Sequence, residues 1–397
     1  MTLMTRLLTI NTGSSSLKAA LYRAGPPDAA ETLDLAAQVE RIGHPGSHLR
    51  IVDARGTLVF EHTGDLSDHD AALAALLAWL QRQGLASDLE AVGHRIVHGG
   101  SRFSAPRLVT PEIVATLEEL VPLAPDHLPQ ALAAVRAIAR AVPSMTQVAC
   151  FDTAFHRDLP RAARTYALPR RFREADVRRY GFHGLSYEYI MRELRALDPA
   201  AAAGRVIVAH LGNGASMAAV RGGASVDTTM GFTPAGGLVM GTRTGDVDPG
   251  VFLYLLRSQG LSAAALSDLV NKESGLLGVS ETSADVRDLL DRAPADPRAA
   301  EAIALFCYQA KKFLGALAAA LGGLQTLVFT GGIGEHAAPV RAAICAGLEF
   351  LGIELDPDRN AVHAPVISRP GARVTVRVMR TDEDLMIARH TRRLVSQ

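Results

Sequence analysis

The feature that most constrains this chain is a pattern that occurs twice. In LLTINTGSSSLKAALYR, residues 7–23, a short apolar run meets Gly13 and three serines. A second run then follows with Leu17, Ala19 and Leu21 on one face. Alternation on either side of a Gly/Ser turn reads as strand, tight turn and returning strand. VIVAHLGNGASMAAVRGG, residues 206–223, repeats the design, and aligning Gly13 with Gly212 superposes strand on strand about half a chain apart. Two such hairpins, each opening one half, point to a duplicated domain. At 397 residues the chain also exceeds one ordinary domain and suits two of about 150–200 residues.

Helical spacing occupies the intervals. Asp70–Gln83 and Gln130–Ala141 are rich in alanine and leucine, and Val251–Arg257 and Leu261–Val270 follow the second hairpin. Ala299–Leu321 lacks proline and is expected to be a buried helix, after which LVFTGGIGEH reads as strand, glycine turn and helix. Strands and helices mixed in this order imply α/β layers in both halves.

Composition removes several classes of function. Forty-one basic residues balance forty-one acidic ones, so the total charge gives no reason to expect nucleic acid or a membrane surface as partner. Cys150, Cys307 and Cys345 are scattered and form no CxxC pair, which argues against a disulfide scaffold and a structural zinc site. The apolar stretch Leu7–Ile10 is too short for a signal-peptide core. The runs near Ala71–Leu80 and Phe313–Leu324 fall short of the ~20 residues of a membrane span, so the cytoplasm is the expected compartment.

Three glycine-rich turns, Gly13–Ser16, Gly212–Gly214 and Gly331–Gly334, each follow an apolar strand. Glycine lets backbone approach an anion, and successive N–H groups make a concave anion site. Serine hydroxyls and Lys18 add donors and charge to the first turn. No lysine follows a glycine, which excludes a Walker A loop, and no HRD…DFG set is present. ATP, if bound, would be held by hairpin loops.

These segments resemble a known family. INTGSSSLK is similar to the N-terminal signature of acetate and propionate kinases, and DTTMGFTPAGGLVMGTRTGDVDPG (227–250) to their second. GHRIVHGG, FDTAFH, YGFHGLSYEY, HLGNGAS, ESGLLGVS, FTGGIGEH and TDEDLMIARHT complete the set in family order from residue 7 to about 392. The resemblance implies two duplicated actin/Hsp70-like (ribonuclease H-like) domains with the active site in an interdomain cleft. It also implies a homodimer and Mg²⁺-dependent, reversible phosphoryl transfer from ATP to a short carboxylate, with Mn²⁺ as a substitute ion. The expected domains are 1–153 with 385–397, and 154–384.

The resemblance also implies residue roles. Arg95 and Arg243 grip carboxylate and transferring phosphoryl group; Asp152 sits beside them, and His183 contacts the phosphoryl group. Val97, Phe182 and Pro234 form the alkyl pocket. Asn11, Ser14, Ser16 and Lys18 make the first phosphate loop, and Asn11 with Glu383 holds the metal. The remaining nucleotide positions are His210, Gly212, Asn213, Gly214, Asp285, Val286, Arg287, Gly331, Gly332, Ile333 and Gly334. A carboxylic acid is ionised at pH 7, so the nucleophile needs no general base and Asp152 reads as an orienter.

Two departures bear on the substrate. Asp126 in APDHLP stands where the family has a pocket leucine, so it turns outward, pairs with an arginine, or marks a different acid. Gly236 stands where the family commonly has glutamate, which is expected to loosen the loop leading into Met240–Arg243. Other readings left open are a propionate- or butyrate-type kinase and a nucleotide-gated binding protein of the Hsp70 kind.

Overall fold

The computed structural model describes residues 5–25 and 30–397; Met1–Met4, which open both the expected first domain and the would-be leader, lie outside them, as do residues 26–29. The chain divides into two compact units, Met1–Ala154 with Asp382–Gln397, and Phe155–Thr381.

The first unit is built on strands β1 (Thr5–Thr12), β2 (Leu17–Ala24), β3 (Thr32–Glu40), β4 (Ser47–Asp53), β5 (Leu58–Gly64), β6 (Leu89–Ile96), β7 (Arg107–Leu108) and β8 (Thr146–Phe151). They form one sheet in the order β5-β4-β3-β2-β1-β6-β8-β7. The second unit holds β9 (Arg205–Leu211), β10 (Ala215–Arg221), β11 (Ala224–Thr228), β12 (Thr326–Thr330) and β13 (Thr375–Val378), ordered β11-β10-β9-β12-β13.

The duplication is explicit in the pairing. In the first unit β3, β2 and β1 are mutually antiparallel, and β1–β6 and β6–β8 run parallel. In the second, β11, β10 and β9 are antiparallel, and β9–β12 and β12–β13 run parallel. Each glycine hairpin therefore opens the same five-strand scheme. The turns differ by one residue: Gly13 N donates to Ser16 O at 2.8 Å, whereas Gly212 N donates to Gly214 O at 3.0 Å.

Helices cover these sheets because their caps and apolar stripes allow little else. Helix His69–Arg82 starts where the Asp68 side chain accepts from Ala71 N at 2.8 Å, and it buries Leu73, Leu76, Trp79 and Leu80 on the first sheet's core. The C-terminal helix Glu383–Val395, capped by Asp382, packs on β6 at Gly93, where a Cβ would collide with Thr391 Oγ1 and Ile387. That contact needs glycine for its closeness alone.

Three expectations need correction. Helix Pro297–Leu321 is not buried all round: Ala302, Phe306, Ala310, Leu314 and Leu317 form its buried stripe, while Tyr308 is exposed. At 25 residues it is long and apolar enough to cross a membrane by length and composition, more than the run read from the sequence; its stripe instead packs within the second unit. Leu261–Val270 is no single helix, since α-helix Ala263–Asp268 passes into a π-helical turn, Leu269–Glu273. Gly331–Gly334 forms no free turn, because helix Gly331–His336 begins directly after β12.

Candidate active site

In each unit the candidate residues gather at the carboxyl ends of the parallel strands, the end where open α/β sheets bind ligands. In the first unit Asn11 lies near the end of β1, Arg95 near the end of β6, and Asp152 follows β8. Strand register sets Ile10 against His94 and Arg95 against Cys150, so these three side chains emerge side by side.

Arg95 is their hub. Its Nε donates to Asp152 Oδ1 and Oδ2 at 3.0 and 3.1 Å, and Nη2 donates to Oδ2 at 2.6 Å. Nη1 donates to Asn11 Oδ1 at 3.2 Å and lies 3.6 Å from Glu383 Oε2. Asp152 is almost wholly buried. Burial works against the guanidinium's charge, but the carboxylates of Asp152 and then Glu383 outweigh it and hold the Arg95 pKa above its ordinary value. The Arg95–Asp152 pairing fixes the fork and leaves Nη1 as its outward edge.

Glu383 opens the C-terminal helix in an acidic trio. Asp382 is the cap, and burial, with Glu383 and Asp382 nearby, pushes Asp384 up to about 6 despite Lys18 and a 3.3 Å hydrogen bond from Thr9 Oγ1. From the sequence, Glu383 of this trio is expected to hold the metal by family resemblance, and no role is expected for Asp384. The burial of Asp384 had no signal there, because an acid at a helix N-terminus is ordinary. Ser14 and Lys18 are exposed and Ser16 is half-buried; Lys18 pairs with Asn11 across the hairpin. Val97 is buried in this unit.

The second unit brings the other candidates together. His183 adopts a left-handed backbone, φ +57°, at the start of helix Gly184–Leu197. Its Nδ1 is 2.8 Å from Ser216 Oγ, which also meets the Tyr187 hydroxyl, and its ring stacks on His210 with centroids 4.2 Å apart. A Cβ added to Gly214 would lie 3.2 Å from His183 Nε2 and 3.7 Å from Arg243 Nη1, so the hairpin turn, His183 and Arg243 meet at one place. Arg243 Nη1 also donates to Pro234 O at 3.1 Å. Phe182 is buried and Pro234 half-buried.

The loop around Gly236 is not loosened. Gly237 N donates to Asp246 Oδ1 at 2.7 Å and Asp246 N donates to Gly237 O at 2.9 Å. Gly237 and Gly245 both have positive φ, which permits this tight crossing.

Seven of the eleven nucleotide candidates line one cavity of about 430 Å³, walled by Gly212, Asn213, Ala284–Arg287, Gly332, Ile333, His336 and Ala337. Asp285 caps helix Val286–Arg292 by accepting from Arg287 N at 2.7 Å, and the Arg287 side chain is 87% exposed. Gly214, Gly331, Gly334 and His210 stand outside the lining; His210 Nδ1 is instead 2.8 Å from Ser186 Oγ.

Behind the cavity, Arg341 is fully buried and has no carboxylate partner among the described residues. It donates to Gly334 O and Glu335 O at 2.9 Å and to Asn360 Oδ1 at 2.8 Å, tying down helix Gly331–His336. A lone arginine in the apolar run AAPVRAAIC was the available signal, and sequence reading passed over it.

Comparisons with known proteins agree with one another. A model described as the acetokinase family matches residues 6–389. A protein named acetate kinase from Rhodopseudomonas palustris (strain TIE-1) is 50% identical over 98% of both chains, and one from Methylocella silvestris is 47% identical over the same shares. Among solved structures, Porphyromonas gingivalis acetate kinase superposes with a TM-score of 0.88 at 41% identity, covering 98% of this chain and 100% of that one. A propionate kinase from Francisella tularensis reaches 0.92 at 34% identity with the same coverage. The likeness carries the actin/Hsp70-like fold.

Proposed function

Because the chain belongs to the acetokinase family, we propose that it transfers the γ-phosphoryl group of ATP to acetate, reversibly. The observation that carries the chemistry is the Arg95–Asp152–Asn11–Glu383 cluster. Acetate rather than propionate is favoured because the relatives at 47–50% identity are named acetate kinase, whereas the propionate kinase structure is 34% identical.

An oxygen of the ionised carboxylate attacks the γ-phosphorus, and the bond to the bridging oxygen of ADP breaks, its electron pair leaving with ADP. Repulsion between two anions is the obstacle, so the residues that matter are cations and fixed donors. Arg95, oriented by Asp152, presents Nη1 for this purpose. Arg243, steadied by the Pro234 carbonyl, and His183, backed by Ser216, supply further donors from the second unit. Asp152 is committed to Arg95 through three contacts, which supports the orienting role over proton acceptance. Val97, Phe182 and Pro234 supply the alkyl contacts, while the glycine-lined cavity takes the nucleotide, with Arg287 and Asp285 at its adenosine side. Ser14, Ser16 and Lys18 contribute donors from the first hairpin.

Asn11 and Glu383 would hold Mg²⁺, or Mn²⁺ in its place. Both offer hard oxygen donors beside Arg95 Nη1, and the crowding of Glu383 and Asp382, which adds to burial in raising Asp384, is the kind a divalent cation relieves. The ion supplies charge neutralisation on the phosphate oxygens.

We further propose a homodimer: helix Pro249–Ser258 buries no residue and exposes Val251, Leu253, Tyr254 and Leu256, an apolar face of the kind that covers itself by association. Three buried free thiols suit a cytoplasmic setting.

Asp126 is half-buried and makes no ion pair among the described residues. The test is trapping of acyl phosphate by hydroxylamine with MgATP and acetate, propionate or butyrate, for wild type and Asp126→Leu. Strong turnover of acetate by wild type is expected. Activity confined to the leucine variant would mean that the natural acid is not a simple fatty acid.

A further inference from the structure

Another concavity lies in the second unit, apart from the glycine-lined cavity. It measures about 290 Å³ and is lined by Arg161, Arg164, Thr165, Arg173, Asp176 and Arg178. Four arginines and one aspartate line it, a net lining charge of +3. Arg164, Arg173 and Arg178 are half-buried. Among the described residues the side chains of Arg161, Arg164 and Arg173 form no hydrogen bond or ion pair. Arg178 lies over the Tyr180 ring, and its buried Nε has no hydrogen-bond partner but lies 3.7 Å from Asp176 Oδ1.

Like charges converging in a half-buried space repel one another, and a buried donor without an acceptor carries a desolvation penalty. A dissolved counterion could offset part of the first cost at any exposed arginine. It does not account for a buried Nε whose one charged neighbour lies beyond hydrogen-bond distance, or for four arginines lining one concavity. The guanidinium fork matches phosphate oxygens two at a time, so one anion with several oxygens would answer all of these groups together. The backbone here is anchored: Arg179 N donates to Arg164 O at 2.9 Å, and Arg179 Nη1 donates to the carbonyls of Thr228, Thr229 and Met230 at 2.9–3.0 Å. The cluster is thus held in place by the adjoining arginine, which spends its own donors on carbonyls.

We propose that this cavity is a binding site for a small phosphorylated anion, separate from the nucleotide cavity. It needs no residue assigned above to the phosphoryl transfer.

The test uses the full-length protein with pyrophosphate as calorimetric probe and tungstate as crystallographic probe, for wild type and the Arg164→Gln/Arg173→Gln double variant. Tungstate density among Arg164, Arg173 and Arg178 in wild type is expected. Pyrophosphate affinity at that site should fall roughly tenfold or more in the variant, the size of at least one lost charge-assisted hydrogen bond. Unchanged melting and acetate turnover would show that the variant is folded; if it is not, the exposed Arg161→Gln serves instead, with a smaller loss expected. Tungstate found only in the glycine-lined cavity, or pyrophosphate affinity unaltered by the substitutions, would overturn the proposal.

Discussion

The two units share one sheet scheme and use it for opposite ends. At the carboxyl ends of β1, β6 and β8 the first unit places Asn11, Arg95 and Asp152, a dense knot of hydrogen-bonded polar side chains. At the corresponding ends of β9 and β12 the second unit places glycines, and a cavity opens there. The difference teaches that the scheme supplies only a location. Side chains gather into a polar cluster at that location in the first unit, and glycines leave a cavity beside it in the second.

The sharpest way to break this comparison is to remove the charge hub. Arg95→Gln should lower kcat on the order of 10³-fold in the hydroxamate assay, the scale of a lost transition-state donor. Asp152→Asn should also fall steeply, since Arg95 would keep its burial and lose its main counter-charge. Near-normal turnover in either variant would remove the first unit from the chemistry.

Acid should strike both units alike. Burial lowers His94 in the first unit and His156 in the second to about 4, from 6.5 in an unfolded chain. The folded chain binds fewer protons than the unfolded one between those values. Stability is therefore full above pH 6.5 and declines as pH falls toward 4, by at most about 3 kcal/mol for each histidine. Urea midpoints measured across pH 4–7 should drop accordingly, and His94→Leu should flatten the profile.

Glycines should separate the units. Gly331→Ala places a Cβ 2.7 Å from Leu211 O at φ +77°, and should cost roughly 1–3 kcal/mol in thermal stability. Gly13→Ala meets only the movable Ser16 hydroxyl and should cost less than about 1 kcal/mol. Equal effects would deny that the turn at Gly331 depends on glycine where the first hairpin's Gly13 does not. The smallest expected change is at Arg287, whose exposed side chain should alter only the nucleotide KM on Arg287→Ala, roughly two- to five-fold.

Both hairpins were legible in the sequence because strand alternation and a glycine turn are local signals, and the structure has them as β1–β2 and β9–β10. Helix Pro297–Leu321 was legible as a helix, but its one-sided burial was not, since alanine serves a buried and an exposed face equally. Strands β3–β5, which extend the first sheet, carry mixed polar and apolar residues and half-exposed positions, and left no clear period to read. At the site, the cluster of Arg95 with Asp152 joins residues 57 apart in sequence, so its geometry was available only through the family resemblance. Asp384 and Arg341 were missed for a related reason: burial of a charge is set by distant packing, and nothing adjacent in the chain announces it.

The most direct test of the division between cluster and cavity is equilibrium binding of MgATP to Arg95→Gln, followed by calorimetry. If Arg95 serves the chemistry and the second unit's cavity takes the nucleotide, the variant should bind MgATP within about twofold of wild type while acyl phosphate formation falls by roughly 10³. Loss of MgATP binding in parallel with activity would contradict the account, because Arg95 would then serve nucleotide binding.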